Sequence, residues 1–241
     1  MVRSSGRFLD LGTFDPPGAP SRPVRLYVPR GVDADRPHAT LFLFDGQNVF
    51  GDEGSFAGGW HAHTAVDRLG DRRHWRPVVV GVGNGGSHRV RELGRDVDAF
   101  VAAVAEQLVP RVEGVIHGRG PRVIGGASLG GLGALHAWLA HPEVFGGAMV
   151  MSPSLWFEDR RLVRALEAGH RSPPPNGRIY VDAGARERGR MFRDAARLAR
   201  WLEAAGLGPE RLLWRPDARG AHHESHWRRR LPKAARFLFA R

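Results

Sequence analysis

Val123-Ile124-Gly125-Gly126-Ala127-Ser128-Leu129-Gly130-Gly131-Leu132 is the stretch on which the reading of this chain turns. A short apolar run ends in a glycine-framed serine and passes at once into a helical pattern over Leu129 to Ala140. G-x-S-x-G between a strand and a helix places the serine on a tight, strained turn, where only small neighbours let the backbone pass close by. The turn lifts Oγ clear of the sheet and sets it at a helix N-terminus. There the Leu129 amide can donate to charge developing on a bound carbonyl oxygen. The expected role of Ser128 is that of a nucleophile.

Working outward, apolar runs predict strands at Phe8 to Thr13, Val24 to Val28, Ala39 to Phe44, Val78 to Val82, Arg122 to Ile124, Ala148 to Met151, Ile179 to Val181 and Leu212 to Trp214. The first two read as an antiparallel pair. Most of the rest are continuous rather than alternating, as expected for strands covered on both faces. Helical patterns fall between them at Ala62 to Leu69, Asp96 to Val112, Leu129 to Ala140, Arg160 to Ala168, Phe192 to Ala205 and Trp227 to Ala240. Such alternation predicts an α/β fold over 1–241, a single domain with a mostly parallel central sheet and helices on both faces. In such sheets ligands bind outside the carboxyl ends of the strands.

The 241 residues contain no cysteine, which removes disulfides, thiolate metal sites and a cysteine nucleophile from consideration. No signal-peptide pattern and no apolar run of about 20 residues is present, so the expected location is cytoplasmic, with no membrane partner. The formal charge of +11 is carried by arginines scattered through every segment, with Lys233 the sole lysine. Nucleic-acid binding calls for a basic stripe with interleaved aromatics, so no nucleic-acid partner is expected. A basic surface would still steer anionic substrates inward.

A serine needs a base within hydrogen-bond reach, and the base needs an orienting acid. The order serine, acid, histidine leaves the loop after Leu212 to Trp214 as the place for the base, where His222 and His223 compete and His226 adjoins the last helix. Asp182 and Glu187 both follow Ile179 to Val181; Glu187 lies far enough out to reach back to an imidazole. His223, Glu224 and His226 miss the H-E-x-x-H zinc spacing by one residue, and neither metal nor cofactor is expected.

These residues carry a resemblance. Leu43-Phe44-Asp45-Gly46-Gln47-Asn48-Val49-Phe50, Gly59-Trp60, Val80 to Gly86, Gly126 to Leu132, His141 to Gly146, Ser152-Pro153-Ser154-Leu155-Trp156, Asp182 to Glu187 and Gly220 to Trp227 follow one another in order. Together, between about Leu41 and Leu238, they resemble the enterochelin-esterase-like group, or esterase D family, of α/β-hydrolases. Its relatives include enterochelin esterases, feruloyl esterases, S-formylglutathione hydrolase and the mycolyltransferases. The resemblance implies the α/β-hydrolase fold and a catalytic set of Ser128, His222 and Glu187. It implies a second oxyanion amide at Gln47 beside that of Leu129, with Asp45 bracing the loop.

The function expected is a serine carboxylic-ester hydrolase working through an acyl-enzyme on Ser128, its partner a small-molecule ester, aromatic or anionic. An acyltransferase of the mycolyltransferase type and a binding protein that has lost catalysis are the alternatives. Trp60 and Trp156 are expected as flat pocket walls, core packing being the competing role. Arg89, Arg91, Arg186 and Arg188 surround the same edge and are expected either to contact an anionic ester or to be solvated.

Overall fold

A computed structural model of the chain describes residues 6–32, 37–55, 57–69, 76–116 and 120–239. Eight strands form one sheet: β1 (Arg7–Phe14), β2 (Arg22–Val28), β3 (Thr40–Phe44), β4 (Val78–Val82), β5 (Arg122–Ala127), β6 (Gly147–Met151), β7 (Arg178–Gly184) and β8 (Leu212–Asp217). Their spatial order is β1-β2-β4-β3-β5-β6-β7-β8. β1 and β2 pair antiparallel, as does β2 with β4, while β3 to β8 run parallel. The fold is α/β, with the mostly parallel sheet that the sequence pattern predicts.

Among the described residues the seven α-helices are α1 (Ala62–Asp67), α2 (Val97–Ala103), α3 (Val109–Ile116), α4 (Leu129–Ala140), α5 (Phe157–Glu167), α6 (Met191–Ala204) and α7 (Glu224–Phe239). Strand alternation divides the core in two. Phe42 and Phe44 of β3 face the layer of α2 to α6, in one core with Phe100, Leu132 and Leu198. Leu41 and Leu43 face the layer of α1 and α7, with Val66, Trp227 and Leu231. Both faces of β3 to β7 are therefore dry, which is why they read as largely unbroken apolar runs, whereas β8 at the sheet edge keeps exposed residues.

One expectation needs correction. The pattern from Asp96 to Val112 is not one helix: α2 ends at Ala103, a π-turn spans Val104–Leu108, and α3 follows. Pro110 explains the break. Its nitrogen has no hydrogen to give to a carbonyl one turn back, a loss that costs least in the first turn of a helix, although Pro232 is accommodated inside α7.

His136, in the middle of α4, is 5% exposed, and its Nδ1 lies 3.9 Å from Asp98 Oδ1. Burial lowers its pKa to about 4, against the upward pull of Asp98. The unfolded chain therefore binds a proton at His136 between about pH 6.5 and 4 that the folded chain does not. Stability contributed by the neutral ring is whole above pH 6.5 and is lost as pH falls toward 4, by about 3 kcal/mol. His136→Leu should flatten the decline in melting temperature between pH 7 and 4, and parallel melting curves for the two proteins would contradict this.

Candidate active site

The glycine-framed serine sits where β5 meets α4, with Ser128 at φ 58° and ψ −124°. A non-glycine residue at positive φ stores strain, and three backbone bonds hold it there. The Ser128 N–H donates to Met151 O at 3.0 Å, while its carbonyl accepts from Ser154 N at 3.0 Å and Leu132 N at 3.1 Å. The flanking glycine is required sterically: a Cβ on Gly126 would lie 2.5 Å from the Gly130 carbonyl carbon and oxygen. Leu129 opens α4, so its N–H is among those left without an intrahelical acceptor.

Three residues from distant parts of the chain meet at this turn. His222 Nε2 lies 2.9 Å from Ser128 Oγ, and His222 Nδ1 lies 3.4 Å from Glu187 Oε2. His222 comes from the loop between β8 and α7, Glu187 from the loop after β7. His223 lines the cleft beside them, but its Nδ1 faces Ser225 Oγ at 3.0 Å. His226 lies within α7, its Nδ1 3.2 Å from Arg229 Nη2.

Beneath the carboxylate lies a buried polar network. The Glu187 Oε1 atom accepts from Ser152 Oγ at 2.5 Å and from Gly184 N at 2.8 Å. Burial pushes the Glu187 carboxyl up, but the hydrogen bonds from His222, Ser152 and the Gly184 amide outweigh it and hold it below its usual range. Ser152 Oγ in turn accepts from Trp227 Nε1 at 3.0 Å and Arg230 Nη2 at 2.9 Å. Asp182, the competing acid, points elsewhere: Tyr180 OH donates to it at 2.9 Å, Ser152 N at 3.1 Å, and Arg230 Nη1 lies 3.2 Å away. Burial raises the Asp182 pKa to about 7, against the pull of Arg230.

The cleft in front of Ser128 encloses about 430 Å³, with Gln47, Trp60, His222 and Trp227 among its walls. Trp60 is only 1% exposed and meets Trp227 edge-on at 6.0 Å, so it is wall and core at once. Trp227 also presents its ring to His222 at 4.9 Å, nearly perpendicular, and so backs the imidazole. Trp156 is not among the cleft residues; it is 50% exposed at the start of α5 and packs on Phe157. Asp45 is held by both ends of the Arg89 guanidinium, at 2.6 and 2.7 Å, which ties down the loop carrying Gln47. Arg91 is likewise paired, with Asp96, whereas Arg186 and Arg188 are exposed and lie outside the cleft.

Two contacts have no counterpart in the sequence reading. Ser154, 3% exposed, places its Oγ 3.2 Å from Ser128 Oγ. Arg230, 5% exposed, is buried against Asp182 and Ser152. The block Ser152-Pro153-Ser154-Leu155-Trp156 carried the first as part of a pattern, without a role.

The family model described as "Putative esterase" matches residues 20–238. The chain belongs to this esterase family. The iron(III) salmochelin esterase of Escherichia coli O6:H1 is 28% identical over 225 residues, which are 86% of this chain and 52% of that protein. The iron(III) enterobactin esterase of Escherichia coli K12 is 35% identical over 153 residues, 59% of this chain and 36% of that protein. The chain thus spans about half, or less, of the length of these curated relatives.

Among solved structures, the enterobactin esterase FES of Shigella flexneri, determined in the presence of enterobactin, is 28% identical. It aligns with a TM-score of 0.78 over 97% of this chain and 58% of that chain. The BES protein of Bacillus cereus, 19% identical, aligns over 100% of this chain and 98% of that one at a TM-score of 0.74, a likeness of fold.

Proposed function

We propose that this protein is a carboxylic-ester hydrolase that works through an acyl-enzyme on Ser128. The observation that carries the reading is the line from Ser128 Oγ through His222 to Glu187, at 2.9 and 3.4 Å, at the mouth of a cleft. In the first step His222 Nε2 takes the hydroxyl proton while Oγ attacks the ester carbonyl. The oxyanion is met by the amides of Leu129 and Gln47, fixed in place before the charge appears. His222 then gives its proton to the departing alkoxide, and the alcohol leaves. A water, deprotonated by the same nitrogen, attacks the acyl-enzyme and releases the acid. Glu187 holds Nδ1–H and thereby keeps Nε2 free to accept a proton.

The substrate proposed is a small ester bearing an aromatic group. Trp60 and Trp227 line the cleft, and the relatives named above are esterases of iron(III) salmochelin and iron(III) enterobactin. The Shigella flexneri enterobactin esterase was also determined in the presence of 2,3-dihydroxy-N-benzoyl-serine, a compound with an aromatic acyl group. Anion selectivity is not assigned to Arg89 or Arg91, since each already holds a carboxylate.

A fluorophosphonate probe followed by mass spectrometry of the intact protein tests the nucleophile. One adduct, mapped to Ser128, is expected. A panel of p-nitrophenyl and feruloyl esters tests the substrate, with the aromatic acyl groups turned over faster than straight chains of equal length. No adduct and no turnover on any ester would remove the proposal.

A further inference from the structure

A second cavity lies away from the ester cleft. It encloses about 440 Å³ between the end of β8, the turn after it and α7, and Arg215, Arg219, Arg229, Arg230, Lys233 and Asp217 line it. Five cations thus face one carboxylate. Asp217 is spent within the wall, taking Arg229 Nη2 at 2.6 Å and the Arg219 backbone N–H at 3.2 Å. Arg230 is held from behind by Asp182. Arg215, Arg219 and Lys233 have no carboxylate partner among the described residues.

Two features separate this place from ordinary solvated arginine surface. It is concave, so the like charges share one volume and their potentials add in a space that excludes part of the water. Its wall also includes Arg230, 5% exposed, a cation held in place by Asp182 and Ser152 rather than free to turn into solvent.

We infer that this cavity binds a small multiply charged anion of the phosphate type, distinct from the ester cleft. Guanidinium forks match phosphoryl oxygens two at a time, and Lys233 adds a point charge. The inference is independent of the ester chemistry. It does touch that chemistry physically: Arg230 reaches the cavity on one side and Ser152, the support of Glu187, on the other.

Pyrophosphate is the probe, titrated against sodium chloride at equal ionic strength, with the melting temperature as readout. The wild type should melt about 5 °C or more higher at a hundredfold excess over Kd. Arg215→Glu/Lys233→Glu, both positions exposed, should lose that rise. Arg193→Glu/Arg200→Glu, an equal change of charge at two exposed sites on α6, should keep it. Three results would overturn the inference. The rise could be matched by chloride alone, it could vanish equally in both variants, or it could persist in the cavity variant.

Discussion

Ser128→Ala is expected to lower turnover of a p-nitrophenyl ester by about 10⁴–10⁶-fold while leaving the melting temperature nearly unchanged. The side chain's hydrogen-bonding neighbours are His222 Nε2 and Ser154 Oγ, so deleting the hydroxyl leaves the Glu187 network intact. Alanine keeps the Cβ, so the strain at φ 58° is the same in both proteins. What remains is the oxyanion amides and the cleft, which alone support a small residual rate. Retention of wild-type turnover by Ser128→Ala would end the acyl-enzyme reading. A large fall in melting temperature would instead show that the hydroxyl supports the turn.

Glu187→Gln is expected to cost about 10²–10⁴-fold in kcat, and the reason lies in its hydrogen bonds. Oε1 accepts from Ser152 Oγ and the Gly184 amide, so the glutamine must put its carbonyl oxygen there. Its NH₂ then takes the place of Oε2 and faces His222 Nδ1. Donor meets donor unless the imidazole moves its proton to Nε2, the tautomer that cannot accept from Ser128. Asp182→Asn has no such effect, because Asp182 faces Tyr180, Ser152 and Arg230. Its cost should appear as lowered stability, since a neutral amide leaves Arg230 with only Glu187, 3.7 Å away, as counter-charge. Steady-state kinetics and thermal melts of the two variants side by side decide the matter. A kcat loss confined to Asp182→Asn would move the acid from Glu187 to Asp182.

How much of this was legible beforehand varies with the range of the interaction. The helix Leu129 to Ala140 begins and ends as its residues predict, because a glycine-framed elbow and the turn after Ala140 are local signals. All eight strands fall where apolar runs place them; the runs are clearest in β3 to β7, which are covered on both faces, while β1, β2 and β8 keep exposed positions. The break at Val104–Leu108 was not seen, although Pro110 signals it, because the apolar spacing continues through the break. Trp60 and Trp156 look alike in sequence; one is buried at the cleft wall and the other half exposed, a difference made by the loop's path.

By itself the sequence determined the elbow, the strand order along the chain and the short list of candidate partners for Ser128, because each depends on neighbours a few residues apart. Only the tertiary structure decided between candidates. It sets His222 rather than His223 on Ser128, and it turns Glu187 toward the imidazole while Asp182 is taken up by Tyr180 and Arg230. It also selects Arg230, from a chain rich in arginine, as the one buried beneath the carboxylates. Those choices rest on contacts between β6, β7 and α7, elements that are remote in the chain. Local propensity carries no record of which charges will share a buried space, and closure of the fold supplies it.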